Sequence, residues 1–386
     1  MPEFMDREGL PLVLNLIKEY YKSAEDIAPR KTESREFGFG NWDVKIAYRH
    51  FSFSGKEALK NYLVANPPPY VSYSAAYYKE PASRPMETKG WLGSELVFDL
   101  DVTDMNLSCH LVHEKSWVCD NCLESVKQET IKLIEDFLIP DFGFSEKDLE
   151  VNFSGNRGYH VHVDRDDILR LDSHARNQIS EYISGTGIEV SDFFPTSGRK
   201  GTALIGPRPT DSGWGGKIAR NFLKRLNDST DALAELGIDR QMATRLYGKR
   251  ALIELGINRG NWDMVYIKNK VEFWNRISNV QAIMQSDRID RNVTKDPSHL
   301  IRLPNSIHGE TGLIAKKVKS VAELGKFDPM KDAVAFRKRQ MTIFADSRYG
   351  VIMNGQHYGP YKSAEVTVPI YVALYLYLKG LARFVF

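Results

Sequence analysis

The chain has 386 residues, of which 42% are hydrophobic and 26% are charged, a composition that predicts a globular protein with two or more compact units and excludes a disordered one. Its 52 basic and 50 acidic side chains give a net charge of only +2, so any nucleic-acid partner has to be held by local patches. No apolar tract is long enough to span a bilayer and no signal peptide opens the sequence, which predicts a cytoplasmic protein with no membrane partner.

The first predicted elements lead to a pair of acidic residues. Hydrophobic periodicity predicts a helix over 10–22 and strands over 46–53 and 70–78. In the next strand, Glu95–Asp101, apolar and acidic residues alternate, which places Asp99 and Asp101 on one face, about 7 Å apart at Cα. Two such carboxylates can converge on a pair of divalent cations, an arrangement that suits phosphoryl transfer. The alternative is a half-buried strand whose acidic side chains merely face water.

All three cysteines follow this strand, within residues 109–122. The pattern Cys109-x3-His113-x5-Cys119-x2-Cys122 supplies three thiolates and one imidazole, which predicts a structural, tetrahedral Zn²⁺ site. His110 is a rival fourth ligand, although its adjacency to Cys109 makes chelation awkward. Three incidental thiols are the alternative, but the segment has little apolar content to bury them. An odd number of cysteines also argues against a disulfide framework.

A helix over 123–138 and a hairpin with strands over 151–153 and 159–163 are predicted next. The hairpin turn combines the Ser154 hydroxyl and the Arg157 guanidinium with two glycines, which let a backbone approach a phosphate closely. His160 and His162 share one face of the following strand, so the polar side of the turn continues along it. The turn therefore predicts a triphosphate cradle, with a solvated hairpin as the alternative.

Beyond the hairpin the pattern changes to helical runs such as 219–236 and 242–255. We interpret 167–288 as a helical subdomain inserted into a sheet-based domain formed by 5–166 and 289–386.

Two basic runs, 316–319 and 337–339, are candidates for nucleic-acid contact or ordinary solvated faces. The apolar, tyrosine-rich tract 368–378 is either core or an interface. The sequence has no Walker-type phosphate loop, no dinucleotide-binding glycine motif after a strand and no Ser/His/Asp nucleophilic set.

Three of these motifs, taken together, resemble the small catalytic subunit of archaeal and eukaryotic replicative DNA primases: the Glu95–Asp101 strand, the Cys/His knuckle and the Ser154–His160 turn. Residues 34–39 and 290–308 are similar to that family too, in the same order. The knuckle spacing and the chain length are closer to the archaeal form. The resemblance implies an α+β fold, with a catalytic core whose mixed or antiparallel sheet is flanked by helices. It also implies that this core carries the zinc knuckle at 109–122 and the helical insert.

The resemblance also implies a third metal ligand. In the family an aspartate from a later strand joins the acidic pair in holding Mg²⁺ or Mn²⁺, and it maps onto Asp290, beside Asp99 and Asp101. Asp287 and Asp296 flank this position and are rival candidates. Carboxylates massed in this way would repel one another unless divalent cations neutralised them.

The nucleotide contacts of the family map onto six residues: Ser154, Arg157, His160, Arg302, His308 and Arg49. His299 is a further candidate. Asn156 stands where eukaryotic members often have a second arginine, so one phosphate contact is either lost or supplied from elsewhere. Surface charge for the arginine and core packing for the histidines are the alternatives at 302, 308 and 299.

The implied function is the synthesis of short RNA or DNA primers on single-stranded DNA for replication, from nucleoside triphosphates, by two-metal nucleotidyl transfer in an archaeal cytoplasm. The implied partner is a large primase subunit with an iron–sulfur cluster, since this chain has no cysteines left for one. One alternative is a related polymerase that extends or repairs ends rather than starting chains. Another is a non-catalytic, zinc-bearing nucleic-acid-binding protein.

Overall fold

The computed structural model of the chain describes residues 8–195, 203–283 and 289–386. Within them the chain is an α+β protein, as expected, and the pairings between its strands are antiparallel. The helices are α1 (Leu10–Ser23), α2 (Lys56–Ala65), α3 (Asp120–Lys132), α4 (Ser173–Ile183), α5 (Gly213–Asp228), α6 (Thr230–Ala234), α7 (Arg240–Gly248), α8 (Arg250–Asn258), α9 (Lys270–Ile283), α10 (Arg291–Lys295), α11 (Val321–Leu324), α12 (Pro329–Asp332) and α13 (Ile370–Leu378).

The strands are β1 (Phe37–Gly40), β2 (Tyr48–Phe51), β3 (Tyr70–Ser74), β4 (Ala76–Tyr78), β5 (Trp91–Ser94), β6 (Leu96–Asp101), β7 (Leu149–Phe153), β8 (Gly158–Val163), β9 (Leu300–Arg302), β10 (Lys317–Val318), β11 (Gln340–Ser347), β12 (Val351–Met353), β13 (Gln356–Tyr358), β14 (Tyr361–Pro369) and β15 (Ala382–Phe384). None of the helices in the described ranges combines the length and the apolar character needed to cross a membrane.

The chain divides into two compact units. The first comprises Met1–Ile131, Glu146–Arg176 and Asp290–Phe386, and the second comprises Lys132–Ser145 and Asn177–Ile289. The second unit thus takes in Lys132–Ser145, which contains a π-helical turn at Leu133–Leu138 and which the sequence had placed outside the helical region. The assignment of 167–288 as an inserted domain stays a prediction.

Two four-stranded sheets form the centre of the first unit, with strand orders β2-β1-β3-β9 and β10-β7-β8-β6. In β6 all four apolar residues are buried, whereas Asp99 and Asp101, which share one face of the strand, are partly exposed. The pairing of β6 with β8 sets Asp99 opposite His160 and Asp101 opposite Gly158. The acidic pair and the glycine-rich turn therefore lie at the same end of one sheet.

A buried ionic cluster connects four separate segments of the first unit. Glu95 is 5% exposed and accepts hydrogen bonds from Arg35, from the Tyr77 hydroxyl at 2.7 Å and from His162 Nδ1 at 2.9 Å. Burial raises the pKa of Glu95, but Arg35 and His162 lower it by more, so the pKa lies well below its usual range. This buried carboxylate is charged and fully paired, as burial of an ion requires.

The second unit has a hydrophobic core of its own, built around aromatic residues including Phe222, Trp262 and Trp274. The helical runs predicted here are real but shorter than expected. The run 219–236 divides into α5 and α6 because the Ser229 hydroxyl accepts a hydrogen bond from the Ala232 amide at 3.1 Å and so starts a new helix. The run 242–255 likewise divides into α7 and α8.

A third sheet, with strand order β14-β11-β15, ends the first unit, and α13 follows β14. Every residue of α13 from Ile370 to Leu378 is buried. The apolar tract 368–378 is therefore core in this chain.

The buried ionic cluster generates a stability prediction. Arg35→Met leaves the buried Glu95 carboxylate without its main cation, and we expect the free energy of unfolding to fall by about 3–5 kcal/mol. Arg339→Met, which removes an exposed pair with Glu19 at 3.7 Å, is the matched control and should cost about 1 kcal/mol or less. Urea denaturation of the three proteins measures both. Equal stability of the Arg35 and Arg339 variants would contradict the account.

Candidate active site

Three aspartates converge at the end of β6. Asp99 and Asp101 come from the strand itself, and the Asp290 backbone N–H donates a hydrogen bond to the Asp99 carbonyl oxygen at 2.9 Å. The family resemblance implied that Asp290 lies on a strand, but in the structure it does not. Its side chain accepts from the Asn292 amide at 2.8 Å and caps α10, the usual role of aspartate at a helix start. The chain therefore turns into a helix directly after the residue that meets β6.

The two rival positions do not replace Asp290. The carboxylate of Asp296 accepts hydrogen bonds from the amide and the hydroxyl of Ser298, at 2.8 and 2.7 Å, and is used by its own turn. Asp287 lies outside the described residues.

The electrostatics of the aspartate cluster favour a bound cation. Burial and the charges of Asp101, Asp290 and Asp104 together raise the pKa of Asp99 to about 8. Asp104 is a member that the sequence analysis missed, although it lies only three positions after Asp101. Its own pKa is raised by burial and by Asp101 and Asp290. Carboxylate oxygens are the ligands that Mg²⁺ and Mn²⁺ prefer, so these residues could hold such ions.

The glycine-rich turn is shaped by its own hydroxyl group. Ser154 Oγ accepts a hydrogen bond from the Gly158 amide at 3.1 Å, so this side chain closes the turn. A Cβ on Gly158 would lie 2.2 Å from the Leu100 carbonyl oxygen. A Cβ on Gly155, whose φ is +85°, would lie 2.9 Å from His308 Cβ. Both positions need glycine, because the turn packs directly against β6 and against residue 308.

Two side chains from this turn and from β8 face the aspartates. Arg157 Nε lies 2.9 Å from the carboxylate of Asp101. His160 Nε2 lies 3.6 Å from Asp99 Oδ1. Burial, together with nearby groups such as Arg302, holds the pKa of His160 well below its usual range, so the imidazole is neutral at pH 7. The aspartates thus have one guanidinium and one neutral imidazole beside them.

Arg302 and His308 meet at the ring of Tyr70, another residue that the sequence analysis did not select. The Arg302 guanidinium lies 4.9 Å from the Tyr70 ring centroid, and the His308 ring lies edge-on at 5.7 Å. Burial lowers the pKa of His308 well below its usual range, and Arg302 and Arg157 lower it further. Arg302 Nη1 is buried and has no hydrogen-bond partner within the described ranges.

The remaining two predicted residues lie at the edge of this group. Arg49 Nε donates to the buried Glu36 carboxylate at 2.8 Å. Burial lowers the pKa of His299, while the charges of Asp296 and Asp290 raise it and that of Arg49 lowers it. The structure therefore brings the predicted metal and nucleotide residues into one neighbourhood, with Arg49 engaged by Glu36.

The cysteines form a separate cluster. One ligand atom each from Cys109, His113, Cys119 and Cys122 lies within 4.8 Å of the others, as expected for a set that can hold a metal ion. The Glu114 carbonyl oxygen lies 2.9 Å from His113 Nδ1 and orients the ring, while Nε2 faces the Cys119 sulfur at 3.2 Å. Three thiolates and one imidazole fit a closed, tetrahedral zinc site.

The cysteine cluster predicts which histidine is needed for metal binding. The rival His110 lies near the site, with Nε2 at 3.8 Å from the Cys122 sulfur. We expect His113→Ala and Cys122→Ser to lose bound metal and to unfold at lower temperature, because metal binding contributes folding free energy. His110→Ala should keep the metal. Elemental analysis and thermal unfolding of the purified variants test this, and metal loss in His110→Ala alone would reverse the assignment.

The aspartate cluster predicts a pH effect on stability. The pKa of Asp99 rises from 3.8 to about 8 on folding, so the native state holds this proton more tightly than the unfolded state and loses stability as the pH rises through that window. Asp99→Asn should therefore gain stability relative to the wild type between pH 5 and 8, by up to about 1.4 kcal/mol per pH unit. Urea denaturation without divalent ions measures the difference. A difference that is constant with pH would show that folding does not raise the pKa of Asp99.

Comparison with known proteins agrees with this geometry. A family model described as DNA primase small subunit matches residues 98–320. The chain is 36% identical to the DNA primase small subunit PriS of Methanothrix thermoacetophila, over 95% of this chain and 96% of the relative. It is 32% identical to the proteins of the same name from Methanosarcina acetivorans, over 98% of each chain, and Thermoplasma volcanium, over 100% of this chain and 99% of the relative. The chain therefore belongs to the DNA primase small subunit family.

Proposed function

We propose that this chain is the catalytic subunit of a DNA primase, which makes short primers on single-stranded DNA from nucleoside triphosphates. The observation that carries the proposal is the convergence of Asp99, Asp101 and Asp290 beside a turn that carries Arg157. A nucleotidyl transferase needs this pairing of features, namely acidic ligands for metal ions next to cationic groups for a triphosphate.

The aspartate cluster fits a pair of divalent ions. Burial and mutual repulsion raise the pKa of Asp99, so bound cations would stabilise its charged form. Asp99, Asp101 and Asp290 would hold the ions through their oxygens. The chemistry that two bound Mg²⁺ or Mn²⁺ ions supply is activation of the attacking hydroxyl and neutralisation of charge on the departing pyrophosphate. The protein's part is to fix the ligands by strand pairing and by the Asp290–Asp99 backbone hydrogen bond.

The residues beside the aspartates bind and orient the nucleotide. Arg157 contacts Asp101 in this structure, and its guanidinium has further N–H groups for a phosphate. Arg302, with its buried and unpartnered Nη1, offers a second cation. His160 and His308 are neutral imidazoles, so they contribute hydrogen bonds rather than charge. Ser154 shapes the turn, which lets its backbone approach the triphosphate.

The cysteine cluster has a structural role in this proposal. Its four ligands would close the coordination shell of Zn²⁺, which leaves no position for substrate or water. Thiolate ligands require reduced cysteines, which fits a reducing cytoplasm.

Membership of the family supports a proposal for the template and the partner. The relatives are called small subunits, and we propose that this chain works with a large subunit that carries an iron–sulfur cluster, because the three cysteines here are used. We assign contact with the template to the basic runs 316–319 and 337–339. In these runs Lys317 contacts Glu150, and Arg339 lies 3.7 Å from Glu19, so the first candidates are the other basic residues, including the exposed Lys319.

Primer synthesis on unprimed single-stranded DNA, with Mn²⁺ or Mg²⁺ and nucleoside triphosphates, tests the proposal. Asp101→Asn should reduce the rate by about 100-fold or more without loss of folded protein, because a metal ligand is removed. Asp296→Asn is the matched control, since the Asp296 carboxylate is used by its own turn through Ser298, and this variant should keep at least about a tenth of the rate.

Two outcomes would contradict the proposal. Full synthesis by Asp101→Asn would favour the non-catalytic, nucleic-acid-binding alternative. Extension of primed strands by the wild type, without synthesis on unprimed DNA, would favour the alternative of a polymerase that extends ends.

A further inference from the structure

A group of charged side chains near the glycine-rich turn is not used by the proposed reaction. Glu310 accepts hydrogen bonds from Asn156 Nδ2 at 3.0 Å and from the Tyr70 hydroxyl at 3.3 Å, and it lies 3.3 Å from Lys45 Nζ. Lys379, the residue that follows α13, donates to Asn156 Oδ1 at 3.4 Å. We call Lys45, Asn156, Glu310 and Lys379 the lysine cluster.

The lysine cluster carries excess positive charge. Lys45 lies 3.3 Å from the Glu310 carboxylate, and Lys379 is held near it through Asn156. Burial raises the pKa of Glu310, but the charges of these two lysines lower it by more. The charges of both lysines also act on His308, and so does that of Arg302, whose Nη1 is unpartnered. Arg302 is therefore a third cation in this neighbourhood. Arg157, also nearby, is balanced by Asp101. Three cations therefore face one carboxylate, a balance that favours an anionic ligand.

The lysine cluster is also accessible and is attached to the turn. The side chains of Lys45 and Glu310 are 57% and 36% exposed, so a ligand can reach them without unfolding the site. The Asn156 amide joins both Glu310 and Lys379, and Asn156 precedes Arg157 in the chain. An anion bound by Arg157 and by the turn backbone can thus extend towards the two lysines.

We propose that Lys45 and Lys379 bind the terminal phosphate of the incoming nucleoside triphosphate, and that Glu310 positions the ammonium group of Lys45 while Asn156 positions that of Lys379. This inference rests on the proposed function. The phosphate takes the place of Glu310 as the partner of Lys45, so Glu310 competes with the ligand. Removal of a lysine weakens binding of a triphosphate more than that of a diphosphate, whereas removal of the Glu310 charge strengthens triphosphate binding.

Calorimetric titration of the full chain with ADP and with a non-hydrolysable ATP analogue, both with Mn²⁺, tests this inference. Lys379→Met should raise the dissociation constant of the ATP analogue about tenfold and that of ADP less than about threefold. Glu310→Gln should lower the constant of the ATP analogue severalfold. Lys379→Arg should remain close to the wild type, and Lys362→Met, at an exposed lysine on β14, should not change binding. If Lys379→Met does not fold, Lys45→Met provides the same comparison.

Three results would overturn the inference. Equal weakening of the ATP analogue and ADP would place the lysines away from the terminal phosphate. Unchanged nucleotide binding, with weaker binding of a single-stranded oligonucleotide, would assign the lysines to a strand phosphate instead. Unchanged binding of every ligand would show that the cluster is structural. A wild-type chain that binds no triphosphate would instead refute the proposed function itself. This result differs from the three above, in which the wild type still binds the triphosphate.

Discussion

Mutual repulsion between carboxylates is the constraint on which this site depends. Asp99, Asp101 and Asp290 are held together although burial and like charge raise the pKa of Asp99 to about 8. The backbone enforces the arrangement, because β6 is paired along its length with β8 and because the Asp290 amide is bonded to the Asp99 carbonyl. The fold therefore holds negative charge together that Arg157 neutralises in part and that divalent ions would neutralise further.

The two ends of the β6 segment show how the surroundings decide the role of an acid. Glu95, just before the strand, is buried with Arg35, Tyr77 and His162 and has a pKa well below its usual range. Asp99, four positions later, has acids as its main charged neighbours and has a raised pKa. The first carboxylate is fully compensated and stabilises the fold. The second is not compensated, and such an imbalance is typical of sites that bind a ligand.

Short-range patterns explain what the sequence could predict. The alternation in Glu95–Asp101 was sufficient for β6 and for the shared face of its acids, and the Ser154–Gly158 turn was sufficient for the hairpin. Helix limits were less certain, because a single hydroxyl, that of Ser229, divides one apolar run into two helices. The helix-capping position of Asp290 was also missed, since the family resemblance placed this residue on a strand. The contact of Lys379 with Asn156 joins residues 223 positions apart, and no local pattern reports such a pair.

The most direct test of the central claim is anomalous diffraction from crystals grown with Mn²⁺ and a non-hydrolysable nucleoside triphosphate. The account predicts two manganese peaks about 3.5–4 Å apart, in contact with Asp99, Asp101 and Asp290, with the triphosphate beside Arg157. The account would be contradicted if manganese were bound elsewhere and not at these carboxylates, while the same preparation made primers.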